Sequence, residues 1–218
     1  MAIEDEVKLE AALDFVEPQI AIGEAIEEIE IIPEVRTITL YFDTPDFGLA
    51  GDKIALRFRY RLSHQGFAST ESLVVPDGAQ EGIWALKSKG KVISSAGVST
   101  TAREELEVVA SFREVPHTLI SKYPVVGEKI PHLGVVAAMD ARRRSRKLIA
   151  NATAVVEIDD DLVRVLVGAN AGEMFREIEF ELLDAEYANL RADVVREFLG
   201  AGAQYSRSGS KLERALSH

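Results

Sequence analysis

Cysteine is absent from the 218 residues. Its absence removes disulfides, thiolate metal sites and cysteine nucleophiles together, and it suits a reducing compartment. Histidine is scarce: His64, His117, His132 and His218 stand in loop-like or terminal contexts and read as surface residues rather than catalytic ones. No apolar run is long enough to cross a bilayer, and no charged-then-apolar leader precedes the first strand, so a cytoplasmic location is expected. Positive charge is in deficit. Lys and Arg number 25 against 36 Asp and Glu, a formal charge of −11, which argues against an outer surface built to hold long nucleic acid. With no linker, repeat or low-complexity tract to divide it, the chain reads as one domain over residues 1–218.

What the chain does have is alternation. Its start places Glu4, Glu6 and Lys8 at every second position, beside Ile3, Val7 and Leu9. The same period returns in IALRFRYR, where Arg57, Arg59 and Arg61 oppose Leu56, Phe58 and Tyr60. It returns again in AREELEVV with Arg103, Glu105 and Glu107, and in the stretch from Met174 to Leu183 with Glu177, Glu179 and Glu181. Side chains of a strand point alternately to its two faces, so each segment has one charged and one apolar face. Further strands are expected at Glu34 to Asp43, Gly82 to Lys89, Gly134 to Ala150 and Thr153 to Val167. Helices are expected at Pro18 to Ile32, where Ile20, Ile22, Ile26 and Ile29 are spaced among acids, at Ala185 to Leu199, and at Ser208 to Leu216.

Counting faces decides the architecture. Two or three helices cannot cover the apolar faces of about eight strands if every charged face is turned to water. A sheet closed on itself can, with charge inside and an apolar outer wall partly covered by helices and loops. The expected fold is therefore α+β but mainly β, an eight-stranded antiparallel closed tunnel with a charged lumen and a few flanking helices. Ions withdrawn from water are costly unless paired or hydrated, so such a lumen holds water, ions or a ligand. Arg57, Arg59, Lys87, Arg103, Arg142, Arg144 and Arg146 offer the donors that phosphate oxygens require. Glu4, Glu6, Glu157, Asp159, Glu179 and Glu181 offer hard oxygens suited to Mg²⁺ or Mn²⁺. Both sets in one pore describe a site for a polyphosphate carrying its metal ion. Trp84 opposes Lys87 in parity and is assigned to wall packing, and Ser208 and Ser210 to helix capping.

Glu4-Asp5-Glu6-Val7-Lys8 has the form ExExK, and YFDTPDFGL, IALRFRYR, WALKSKG, AREELEV, RRRSRKL, VVEIDDDLV, EIEFEL and GSKLERAL follow it in order. In these segments the chain resembles the CYTH superfamily of triphosphate tunnel metalloenzymes across essentially its whole length. The resemblance implies an eight-stranded antiparallel tunnel. It also implies metal ligands at Glu4, Glu6, Glu179 and Glu181 together with an acid of VVEIDDDLV. Alternation favours Glu157 and Asp159 there, with Asp160 or Asp161 as alternatives should the strand carry a bulge. The implied phosphate-binding set is Arg57, Arg59, Lys87, Arg103 and Lys211, joined by one or two of Arg142, Arg144 and Arg146, with Arg144 ranked first.

The activity the resemblance implies is metal-assisted phosphoryl transfer to water, with Mg²⁺ or Mn²⁺ as cofactor. A metal or a carboxylate such as Glu4 positions the water, and arginines including Arg57 neutralise developing charge. Lys8 is either a general base or a charged phosphate ligand. Inorganic triphosphate is the favoured substrate because it needs only charge and metal. Class IV adenylate cyclase, thiamine or nucleoside triphosphatase and a non-catalytic polyphosphate-binding module are the alternatives. The expected partner is a small phosphorylated molecule rather than nucleic acid or membrane, and the expected state a monomer or homodimer.

Overall fold

Eight strands, each with an apolar face that two or three helices could not cover if the sheet lay open, are accommodated by closure. The computed structural model describes residues 2–21, 25–62, 77–88 and 90–216, so Lys89, His64 and His218 lie outside it. Its elements are β1 (Ala2–Ala11), β2 (Glu28–Asp43), α1 (Gly48–Gly51), β3 (Ile54–Leu62), β4 (Glu81–Ser88), β5 (Lys91–Ser95), β6 (Val98–Ser111), α2 (His117–Lys122), α3 (Pro124–Lys129), β7 (Gly134–Ala150), β8 (Thr153–Val167), β9 (Met174–Leu182), α4 (Ala188–Gly200), β10 (Gln204–Tyr205) and α5 (Lys211–Leu216). The sheet order β1-β9-β8-β7-β2-β3-β4-β6 returns to β1 through a β1–β6 pairing, giving an eight-stranded antiparallel barrel. β5 and β10 are appended to it as short extra strands.

β1 belongs to both sides of the seam. Its first half pairs with β6, from Ala2 opposite Glu105 to Glu6 opposite Thr101, and its second half pairs with β9, from Glu6 opposite Glu181 to Ala11 opposite Arg176. Two hairpins are turned by residue pairs at positive φ, Ala96 and Gly97 between β5 and β6, and Asn151 and Ala152 between β7 and β8. That is the backbone which a two-residue hairpin turn matched to strand twist requires.

The outer wall is apolar and is covered in two places. Val7, Leu9, Ile158, Ile178 and Phe180 pack under Ala192, Val195 and Phe198 of α4. Leu40, Leu56, Phe58, Trp84 and Leu86 pack under Leu119 of α2 and Val126 of α3. Trp84 stacks on Phe112 and donates its indole N–H to the Ser111 carbonyl, so it is a wall residue. A third apolar group, Tyr41, Met139, Val163, Val165 and Phe175 with Ala215 of α5, fills one end of the lumen.

Among the described residues the helix expected over Pro18 to Ile32 is absent, residues 22–24 lying outside them. Residues 18–21 are irregular, and β2 has begun by Glu28. β7 runs for 17 residues and offers an edge on which Glu28 pairs with Ile149 and Ile32 with Ser145, so the ladder satisfies the backbone that a helix would have satisfied internally. Pro33, which has no N–H to give, sits where the register shifts between Ile32 and Val35. The short elements α1, β5, α2, α3 and β10 have no counterpart among those expected from sequence. Among the described residues, no helix is long and apolar enough to cross a membrane.

Candidate functional site

The lumen opens into a cavity of about 1090 Å³ lined by the charged faces of β1, β3, β4, β6, β7, β8 and β9 and by α5. Register stacks its acids in tiers. Glu6 lies opposite Glu181, and Glu181 opposite Glu157; one step further in, Lys8 lies opposite Glu179, and Glu179 opposite Asp159. The two tiers are electrostatically different.

The inner tier is compensated. Lys8 Nζ is 2.7 Å from Glu179 and 3.3 Å from Glu6, and Lys211 Nζ is 2.5 Å from Glu177, 2.8 Å from Glu179 and 3.1 Å from Asp161. Arg143 donates to Asp161 at 2.6 and 2.8 Å, to Glu179 at 3.2 Å and also to Asp159. Burial disfavours the charged form of Lys8, but Glu179, Glu6 and Glu177 outweigh it and hold the ammonium charged well above the usual range. Burial likewise opposes ionisation of Asp161, yet Arg143 and Lys211 bring it down to about 2. Asp159 is raised to about 6, by burial first and by Asp161 and Glu179 as neighbours.

The outer tier is compensated at Glu6, by Lys8 and Arg103, but far less at Glu181 and Glu157. Glu181 makes no ion pair among the described residues and is raised to about 7, by burial and then by Glu4, Glu157 and Glu6. Among the described residues Glu157 pairs only with Lys147, at 3.7 Å. Like charges directly opposite on neighbouring strands repel, a repulsion that a divalent cation would relieve if these carboxylates held one. Among the described residues no group of acids already converges on one point. Glu4 is instead turned onto Lys87 at 3.0 Å and Arg103 at 2.8 Å, and Glu6 onto Arg103. The donor set of Glu4, Glu6, Glu157 and Glu181, all hard oxygens at strand spacing, fits Mg²⁺ or Mn²⁺.

The opposite wall is cationic. Arg57 donates to Glu105 at 2.9 Å and to Glu107 at 3.3 Å, and its buried Nε has no partner among the described residues. Arg59 is lowered to about 10 by burial and by Arg57 and Arg143. Lys87 is lowered to about 8 by burial and by Arg57 and Arg103, against the pull of Glu4 and Glu105. Cations that crowd one another in this way are positioned to take an anion.

Of the residues singled out in the sequence, Glu4, Glu6, Lys8, Arg57, Arg59, Lys87, Arg103, Glu157, Asp159, Glu179, Glu181 and Lys211 all line this cavity. Arg142 and Arg144 do not. Arg142 pairs with Glu34, and Arg144, more than half exposed, pairs with Asp160 and Glu17 on the outside of the barrel. Arg146 joins Glu17 there, and Asp160 is held by Arg176. The arginine that enters the lumen from β7 is Arg143, opposite Asp161. The acids open to VVEIDDDLV resolve the same way: Glu157, Asp159 and Asp161 face in, while Asp160 faces out. The sequence keeps Asp161 only as an alternative, leaves Glu177 at a tunnel mouth or facing water, and gives Glu105 no binding role; in the structure Glu177 is buried beside Lys211 and Lys8. Glu177 and Glu105 carry a visible signal in their same-face parity with Glu179 and Arg103. Ser210 caps α5 by accepting from the Glu213 N–H at 3.1 Å.

Comparison with known proteins agrees with this geometry. The chain matches the CYTH domain over residues 5–216. A solved putative adenylyl cyclase from Hippeastrum, described as having a dominant triphosphatase activity, aligns with a TM-score of 0.58 at 17% identity, over 95% of this chain and 92% of that one. A protein from Pyrococcus horikoshii OT3 aligns with a TM-score of 0.50 at 18% identity, over 96% and 97% of the two chains. A putative adenylate cyclase from Bacillus halodurans aligns with a TM-score of 0.50 at 16% identity, over 88% and 97%. At these identities the likeness is one of fold. A comparison with curated proteins gives no match.

Proposed function

Since the chain belongs to the CYTH family, we propose that it is a divalent-metal-dependent triphosphatase whose substrate is inorganic triphosphate, cleaved by water to pyrophosphate and phosphate. The observation that carries this reading is the division of one cavity between a carboxylate tier left partly uncompensated, at Glu181 above all, and a wall of crowded cations. A triphosphate with its metal supplies the charges that both walls lack. Small size is favoured because Tyr41 is the one aromatic among the described lining residues, while Trp84 is packed in the outer wall. The triphosphatase activity described for the Hippeastrum protein is chemistry of the same class.

In this reading Arg57, Arg59, Lys87, Arg103 and Arg143 bind the phosphate oxygens and stabilise the charge that develops as the terminal P–O bond lengthens. Glu4, Glu6, Glu157 and Glu181 would hold Mg²⁺ or Mn²⁺, which when bound neutralises phosphate charge and acidifies water. Glu4, kept ionised down to about 2 by Lys87 and Arg103 despite its burial, accepts a hydrogen bond from the attacking water and orients it. Lys8 and Lys211 stay protonated and act as fixed cations that keep Glu179 ionised; neither serves as a base.

The test is a panel of triphosphates with Mg²⁺ or Mn²⁺, assayed for phosphate and, with ATP, for pyrophosphate and cyclic AMP. Phosphate release from inorganic triphosphate well above that from ATP, abolished by chelator, is expected. Cyclic AMP as the main product, or tight triphosphate binding without turnover under either metal, would overturn the reading.

A further inference from the structure

The apolar stripe of α4 is interrupted by a charge. Arg191, Val194, Val195 and Phe198 follow the i, i+3, i+4, i+7 spacing of a packed helix face, and Arg191 is fully buried on it. An aliphatic residue would satisfy the packing. The guanidinium meets very little in return for its burial: Nη1 donates to the main-chain carbonyl and to the Oδ1 of Asp5, both at 2.9 Å, while Nε and Nη2 have no hydrogen-bond partner among the described residues. A buried charge with unused donors is unfavourable, so its place in this stripe calls for a reason beyond packing.

The reason lies in what Asp5 separates. Asp5 stands between Glu4 and Glu6, and strand alternation sends its side chain outward while theirs enter the tunnel. At this point β1 is passing from its partner β6 to its partner β9. Inside, Arg103 and Lys87 draw Glu4 toward the cationic wall, and Arg103 draws Glu6 as well. Outside, Arg191 grips both the backbone and the side chain of Asp5. Thr100, almost fully buried on β6, donates its hydroxyl to the same Oδ1. The segment is held from both faces at once.

We propose that Arg191 is a positioning residue for the Glu4–Glu6 pair. By fixing Asp5 against α4 and β6, it sets the height and roll of β1, and with them the point at which the two carboxylates meet a divalent cation. The proposal rests on the reading of those carboxylates as metal ligands, and it concerns binding rather than turnover. Outer residues that orient metal ligands commonly control affinity by ten-fold or more.

Mn²⁺ binding to the substrate-free protein, followed by titration calorimetry, tests it, with the thermal unfolding midpoint recorded for every variant. Arg191→Met keeps length and apolar packing; it is expected to weaken Mn²⁺ binding about ten-fold with a midpoint equal to or above that of the wild type. Arg191→Lys, which keeps a cation for Asp5, should recover most of the affinity, and Asp5→Asn added to Arg191→Met should weaken binding less than two-fold further. Unchanged Mn²⁺ affinity in Arg191→Met overturns the proposal, as does a loss of affinity that tracks a fallen midpoint and is not recovered by lysine. Thr100→Val, which removes only the second donor to Asp5, provides an independent arm: a few-fold loss supports the proposal and no loss overturns it. Wild-type protein that binds no Mn²⁺ overturns this proposal and the metal-dependent function together. Arg191-dependent Mn²⁺ binding without triphosphate hydrolysis leaves it standing and ends only the functional reading, and hydrolysis with Arg191-independent Mn²⁺ binding does the reverse.

Discussion

Arg57 and Arg59 leave β3 toward the same lumen, yet among the described residues only Arg57 of the two pairs with acids. It donates to Glu105 at 2.9 Å, whereas Arg59 reaches no carboxylate among the described residues and offers its Nε to Thr39 Oγ1 at 3.4 Å. Arg59 is thus an arginine of the lumen whose charge no described carboxylate pairs, and Arg57 and Arg143 beside it raise the cost of keeping it there.

Arg59→Ala should therefore separate function from stability. Triphosphate KM is expected to rise by roughly ten- to a hundred-fold, the equivalent of a charged hydrogen bond of about 1.5–3 kcal/mol, while the unfolding midpoint holds or rises. Arg57→Ala, which leaves Glu105 and Glu107 without their guanidinium, should lower both affinity and midpoint. An Arg59→Ala enzyme with unchanged KM would remove Arg59 from the substrate-binding set.

The two faces of β7 give a second contrast. Arg143→Ala strips Asp159, Asp161 and Glu179 of a shared partner in a buried setting, a loss on the order of 3–5 kcal/mol, and activity should vanish. Arg144→Ala removes an exposed arginine from the outer cluster with Asp160 and Glu17 and should change kcat and KM less than two-fold, with about 0–1 kcal/mol of stability. Steady-state kinetics and urea unfolding of the pair decide it. Equal loss of activity in both would break the assignment of faces.

This contrast also marks the limit of what the sequence discloses. In β3 charge occupies one parity and apolar residues the other, and in β1, β6 and β9 a row of at least three charges marks the inner parity despite single charges at Asp5, Glu104 and Arg176 on the other, so the inward face is legible from the period. β7 carries arginine on both parities, Arg142, Arg144 and Arg146 on one and Arg143 on the other. The period-2 signal then vanishes, and facing is decided by partners far along the chain: Glu17 and Glu34 outside, Asp161 and Glu179 inside. The segment from Pro18 to Ile32 departs from expectation for a related reason. Its isoleucine spacing suits a helix locally, but the long free edge of β7 is a tertiary fact that no window of residues contains.

Lys8 supplies a third prediction. Glu179, Glu6 and Glu177 hold it charged, so a replacement that cannot release a proton should preserve its role. Lys8→Arg is expected to retain activity within about ten-fold with the shape of the pH profile intact, whereas Lys8→Met should lose both activity and stability by leaving Glu179 short of a cation. Activity abolished in Lys8→Arg, in a protein that still folds and binds triphosphate, would return Lys8 to the role of general base.

Lys87 links pH to binding and stability with opposite signs. It is lowered from its usual 10.5 to about 8, by burial first and then by Arg57 and Arg103, while Glu4 and Glu105 pull the other way. Because the folded state holds this proton less tightly than the unfolded chain does, the unfolded state carries more protons between pH 8 and 10.5, and stability from this group rises with pH across that window. Triphosphate binding needs the charge and should fall across the same window, so KM is expected to climb above about pH 8 while the unfolding midpoint does not fall on account of Lys87. Lys87→Arg, which stays charged throughout, should carry the alkaline limb of the KM profile upward by at least about one pH unit. KM profiles from about pH 6.5 to 10 for both proteins, at saturating metal, make the comparison. An alkaline limb that stays in place in Lys87→Arg would mean that another group, and not Lys87, loses the proton on which binding depends.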